Sequence, residues 1–163
     1  MPPSGESVLG HLHRAFIQQG VSILIASRDG SNRPCVCRAS GCSVRDDGRV
    51  LVFLDENRGR RVLGAVVATN TVAVVFSEPP THRTIQVKGT DATVVMAEDH
   101  SDVIGAYAAA FADMLTDLGY SARMATALVQ LEPTTARAVL FTPTSVFDQT
   151  PGPGAGEAVS AVP

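Results

Sequence analysis

Residues 55–61 read Asp55-Glu56-Asn57-Arg58-Gly59-Arg60-Arg61, and the most recognisable chemistry of the chain is concentrated there. Three arginines stand where an apolar run hands over to a helical pattern. The first backbone N–H groups of a helix lack partners within it, and the peptide dipoles place partial positive charge at that end. Cations are unfavourable there unless an anion joins them. Guanidinium groups supply paired donors matched to phosphate oxygens. The stretch therefore reads as a phosphate site. The competing reading is a solvated charged face with Asp55 and Glu56 as surface partners of the arginines.

Composition limits what that anion can be. The chain has 163 residues, 45% of them hydrophobic, enough for one domain with its own core. Sixteen acidic against 13 basic residues give a net charge of −3, which excludes a broad nucleic-acid-binding surface but not a single phosphate. Aromatic residues are 5% and Trp is absent, so no stacking platform for bases is expected. Of the 13 basic residues only Lys88 is a lysine.

Other candidate ligating groups are weaker. Cys35, Cys37 and Cys42 have neither disulfide-framework nor zinc-finger spacing. On one unbroken strand, Cys35 and Cys37 share a face and Cys42 lies opposite. His11 and His13 would diverge by about 200° on a helix. No metal site is expected. The opening Met1-Pro2-Pro3-Ser4-Gly5-Glu6 lacks a basic region followed by an apolar run, and apolar stretches such as 21–26 and 64–68 are too short to span a bilayer. The expectation is a cytoplasmic protein with no membrane partner.

The elements that must position the arginines follow from periodicity. Residues 1–7 read as a flexible lead, with Ser4 or Ser7 capping a helix to about residue 19. Residues 21–27, 34–44 and 50–54 read as strands joined by Asp29-Gly30-Ser31-Asn32 and Asp46-Asp47-Gly48 turns, an antiparallel meander. A helix over 58–69 follows, capped by Asn57 and stopped by Asn70. Strands are expected over 72–76 and, as one long piece, 84–95, with Gly89 marking a bulge or a bend. A helix over 99–118 carries a wide apolar stripe, capped by Asp99 or Ser101. A short helix over 122–126 and strands over 128–131 and 136–142 complete the pattern. The main domain is read as 8–148, followed by a Pro/Gly-rich tail over 149–163. The fold class is mainly β with helices: an antiparallel split β-barrel with peripheral helices.

The order of these parts carries a family resemblance. Gly48-Arg49-Val50-Leu51-Val52-Phe53, Arg60-Arg61, the run Asn70 to Phe76, and Thr84-Ile85-Gln86-Val87-Lys88-Gly89 together resemble the pyridoxamine 5′-phosphate oxidase-like FMN-binding split barrels. The resemblance implies a homodimer with FMN in a groove at the interface, an unknown small-molecule substrate and flavin-dependent oxidoreductase activity. It implies that Arg60 and Arg61 hold the FMN phosphate with Arg58 beside them, and that Arg38 approaches the phosphate and ribityl chain. Ala39 and Ser40 would follow along the cofactor edge, Leu54 and Asp55 would lie beneath the flavin, and Thr84 or Gln86 would meet its polar edge. Thr84 stands where the oxidases proper carry Gln. The Trp and Arg-x-His elements of those enzymes are missing, so vitamin B6 synthesis is not expected. The alternatives are a deazaflavin-dependent reductase on the same fold and a cofactor-free dimeric binding or structural split barrel. The resemblance nominates no catalytic acid or base.

Overall fold

The computed structural model describes residues 8–159. Its helices are α1 (His11–Ile17), α2 (Glu56–Thr69), α3 (Ser101–Asp117) and α4 (Ala122–Val129). Its strands are β1 (Ser22–Arg28), β2 (Pro34–Ala39), β3 (Gly41–Val44), β4 (Val50–Asp55), β5 (Val72–Ser77), β6 (Thr84–Gly89), β7 (Thr93–Met96), β8 (Ala136–Phe141) and β9 (Ser145–Asp148). The strands form two antiparallel sheets, one in the order β2-β1-β5-β6-β9 and one in the order β3-β4-β8-β7. The sheets do not close into a continuous barrel. The chain steps between them after β2, through α2 after β4, after β6 and after β8.

Two of these steps correct the expected strands. Residues 34–44 are not one strand, because the pairing breaks at Ser40 and β3 joins the other sheet. Residues 84–95 likewise divide into β6 and β7, with the corner just past Gly89. Gly89 marks a bend, and a Cβ there would stand 2.5 Å from Phe141 Cδ2. Asn70 holds the corner: its Nδ2 donates to the Ala92 carbonyl, and the Ala92 N–H donates to the Asn70 carbonyl. Asn70 also stops α2 in the left-handed conformation, as its residue type suggested.

The main core lies between the sheets, where Ile23, Ile25, Val52, Leu54, Val74 and Val87 meet Val62 and Val66 of α2. β4 does not alternate between buried and exposed. Val50 to Leu54 are all buried, with Val50, Val52 and Leu54 facing the main core and Leu51 and Phe53 packing with Ile104 of α3. Of the stripe expected on the third helix, Ile104, Tyr107, Phe111 and Leu115 are buried, whereas Val103 and Leu118 stay exposed. The Tyr107 hydroxyl sits 3.0 and 3.1 Å from the carbonyls of Ile17 and Val21, tying α3 to the α1–β1 junction. Burial pushes the Tyr107 phenol far above its ordinary pKa, with a smaller push from Cys42.

Several boundaries also shift. α1 begins only after Gly10, and the proposed caps Ser4 and Ser7 lie outside the described residues. α3 starts at Ser101 after a short 3-10 turn, and no side chain caps it. α4 runs three residues further than expected under a Ser121 cap, so the strand read over 128–131 does not exist. β9 is an additional strand. Residues past it fold back on it through Gly156 N–H to Asp148 O and Val159 N–H to Val146 O.

Candidate functional site

Where β2 ends at the edge of its sheet, Arg38, Ser40, Asp55 and Arg58 line one cleft of about 200 Å³, closed on its far side by Ala127 and Leu128 of α4. Four residues named from sequence are thereby brought together. Ser40 lies at the crossing between the sheets and donates its N–H to the Phe53 carbonyl at 2.7 Å. It is 6% exposed, the one polar residue in the buried set among the described residues. Buried polar groups are kept where something satisfies them. Ala39 and Leu54, next to Ser40 and Asp55 in the chain, are buried in the main core and do not line the cleft.

Asp55, not Asn57, caps α2. Its Oδ1 accepts from the N–H groups of Asn57 and Arg58, both at 2.9 Å, and its Oδ2 accepts from the Thr135 hydroxyl at 2.6 Å. The Thr135 hydroxyl, then the Arg58 N–H, hold the Asp55 carboxyl below its ordinary pKa. The Glu56 N–H is taken by the Thr135 carbonyl at 2.8 Å. This overturns one part of the expected anion site: the first helical N–H groups are already occupied by the chain's own oxygens. An anion in the cleft would meet guanidinium groups rather than a bare helix terminus.

The arginines divide by direction. Arg58 lines the cleft, whereas Arg60 lies about 200° away around the helix and Arg61 about 60° away on the Arg58 side. All three are exposed, and among the described residues none forms an ion pair; Arg38 forms none either. The competing reading, with Asp55 and Glu56 as surface partners of these arginines, is not what forms, because Glu56 binds Arg137 at 2.5 Å and Asp55 caps the helix. Arg38 donates to the Ser22 hydroxyl at 3.0 Å. Arg38, Arg58, Arg60 and Arg61 thus form no ion pair among the described residues, although the Asp55 carboxylate is near enough to Arg58 to feel its charge.

Thr84 and Gln86 lie elsewhere on the same sheet. Leu24 faces Arg38 across β1 and β2, then Val75 faces Leu24, and Gln86 faces Val75. Arg38 and Gln86 therefore share one cross-strand row on the outer face, three strand spacings or about 14 Å apart. The Thr84 hydroxyl is engaged by its own turn, 2.9 Å from the His82 carbonyl and 2.7 Å from the Ser77 hydroxyl. Gln86 is the better placed of the two.

Solved structures share this arrangement of sheets and helices. HupZ from Group A Streptococcus matches with a TM-score of 0.51 at 15% identity, over 88% of this chain and 95% of that one. General Stress Protein 26 from Bacillus anthracis strain Sterne matches with a TM-score of 0.50 at 11% identity, over 90% and 93%. An F420 reductase matches with a TM-score of 0.50 at 13% identity, over 82% and 94%. The chain has the split-barrel fold. Compared by sequence, it matches no family model and no curated protein.

Within this split barrel, residues that the sequence pattern did not single out complete the cleft. Ala127 and Leu128 were hidden by the expected end of their helix, although Ser121 with Ala125 and Val129 carries the spacing of a capped amphipathic turn. Gly59 lets α2 descend onto the strands: a Cβ there would stand 2.5 Å from Leu54 Cδ1 and 3.5 Å from Cys37 Sγ. Cys35 and Cys37 pack on the main core, and so does Cys42, because the chain changes sheets at Ser40 and resets the alternation. Burial, then the neighbouring Cys35, pushes the Cys37 thiol up to about 11. These thiols are packing groups.

Proposed function

We propose that this split barrel binds FMN and acts as a flavin-dependent oxidoreductase, with the phosphate held by Arg38, Arg58 and Ser40. The observation that carries the reading is the cleft at the start of α2, where two arginines that form no ion pair among the described residues meet a buried serine. Guanidinium donors match phosphate oxygens in shape and charge. Asp55 also lines the cleft, but its oxygens are committed to the α2 cap and Thr135, and two arginines outweigh it. Arg61 strengthens the field at the rim. Gln86 offers an amide about 14 Å along the same row as Arg38. FMN, when bound, supplies the hydride and electron chemistry. The chain's part is to anchor the phosphate and to orient the ring along the sheet.

The cleft holds about 200 Å³, below the roughly 300–1,000 Å³ of complete small-molecule sites. It suits the phosphate end alone. A second copy of the chain would cover the remainder, with exposed Leu24 and Val36 beside Arg38 as the apolar surface for it. The direct test is titration of the purified chain with FMN and with riboflavin, read by quenching of flavin fluorescence. Saturable micromolar FMN binding, at least tenfold tighter than riboflavin, supports the reading; equal affinity for both, or no binding, rejects it.

A second reading is favoured by Arg60 and Arg61, which do not line the cleft and have no ion-pair partner among the described residues. They would suit the longer acidic tail of a deazaflavin, and the F420 reductase sharing this fold carries that cofactor in its name. Titration with both cofactors separates the two. A cofactor-free dimer predicts that neither binds.

A further inference from the structure

A second concavity, larger than the arginine cleft, opens on the outer face of the five-stranded sheet. It measures about 390 Å³ and is lined by the ends of β1, β5 and β6 and the residues next to them. Its floor is set by register. Ala26 faces Ala73, and Ala73 faces Lys88, one row beyond the larger pair Leu24 and Val75. Alanine is depleted in strands because it packs poorly on a pleated surface. Two in register leave a flat, shallow floor beside a step of larger side chains.

The walls are cationic. Arg28 stands on one side and Lys88, the only lysine in the chain, on the other. Among the described residues neither forms an ion pair. Nearby carboxylates are committed elsewhere: Asp29 to Arg33 at 2.8 Å, and Asp91 to the N–H and hydroxyl of Thr142 at 2.8 and 2.7 Å. The Lys88 ammonium lies 4.7 Å from the centre of the Phe147 ring on β9, across β6 from the alanines, a weak contact that an anion over the groove has to outcompete to draw the ammonium inward. Arg28 gives one N–H to Asn32 Oδ1 and keeps the rest of its fork.

We propose that this groove binds a small organic anion with a flat apolar body, of the aromatic carboxylate class. The body lies over Ala26 and Ala73, and the carboxylate meets Lys88 and Arg28. A neutral ring would gain only the apolar contact, and an inorganic anion only the charges. Binding here does not require the flavin reading, but it does require that a second copy seated on Leu24 and Val36 leave Ala26, which faces Val36, uncovered.

The test uses the full chain, labelled with 15N, and 2-naphthoate as probe, with 2-naphthol as its neutral analogue. Naphthoate should shift the amides of residues 26, 73 and 89 saturably. The neutral analogue should bind at least tenfold more weakly, as should naphthoate to Lys88→Met and to Ala73→Leu, which fills the floor. Equal binding of the two probes overturns the proposal, as do unchanged affinity in Lys88→Met or shifts centred on Arg38 and Arg58. Should Ala73→Leu not fold, Lys88→Met and the neutral probe decide the matter. Repeating the titration with FMN separates the two sites. Naphthoate binding that persists whether or not FMN binds supports an independent groove, and displacement by FMN overturns it.

Discussion

Replacing the arginines of α2 one at a time should give unequal losses of FMN affinity, because the helix points them in different directions. Arg58 and Arg38 line the cleft, and Arg60 projects from another side of the helix. A hydrogen bond to a charged group contributes about 1.5–3 kcal/mol. Both side chains are exposed, so the lower end applies, and about 1.4 kcal/mol corresponds to tenfold. Arg58→Ala and Arg38→Ala should each weaken FMN about tenfold, whereas Arg60→Ala, left only with screened long-range attraction, should change it less than about threefold. Fluorescence titration in about 0.1 M salt reads these constants, and riboflavin supplies the control. Lacking the phosphate, riboflavin should bind all three variants like the parent chain. Equal losses in Arg58→Ala and Arg60→Ala would refute the assignment of the cleft. An equal loss of riboflavin affinity would show that the arginine supports the fold rather than the phosphate.

The other predictions concern what holds the site in place. Asp55→Ala removes the α2 cap and the Thr135 contact and should cost about 1–2 kcal/mol in chemical denaturation. Because the folded carboxyl is held below its ordinary pKa, this contribution is complete above the unfolded carboxyl pKa of about 4 and disappears as pH falls through the lower folded value. The parent and Asp55→Ala denaturation curves should therefore converge in acid; a constant gap down to pH 2 would count against the cap. Tyr107→Phe leaves the buried carbonyls of Ile17 and Val21 without their donor, a loss of about 1–3 kcal/mol visible as a lower thermal midpoint. Gly20→Ala should destabilise the chain by a similar amount: φ is +86°, and the new Cβ would lie 2.6 Å from Ala110 Cβ and 3.0 Å from the Phe111 nitrogen. An unchanged midpoint in Gly20→Ala would mean that α3 moves away freely.

Most elements could be read along the chain because their causes are local. The Asp29 and Asp47 turns take backbone N–H groups into their own carboxylates, Asn70 accepts the left-handed conformation, and the inner face of α2 repeats at helical spacing. The change of sheet at Ser40 could not be read that way, and at Gly89 the sequence marked a bulge or a bend but not the end of the strand. Strand-like residues resume after each short polar stretch, Arg38 to Gly41 and Lys88 to Asp91, as they would after a bulge in one strand, and changing sheets is a long-range event that neighbouring residues do not specify. The two-sided burial of β4 was hidden for the same reason: its second face is covered by α3, some 50 residues later in the chain.

For the site, sequence alone determined that an arginine cluster stands at a helix start, because charge and periodicity are properties of neighbouring residues. Only the tertiary structure decided which arginines share a cleft. Arg38 and Arg58 are 20 positions apart and meet because β2 and α2 pack edge to edge over Gly59. It also decided that Asp55 turns inward to close the helix terminus, since Thr135, 80 positions away, arrives to take its second oxygen. A cap and a counter-ion look alike in a sequence. Geometry separates them, because a carboxylate spent on backbone N–H groups leaves the arginines beside it available for something else.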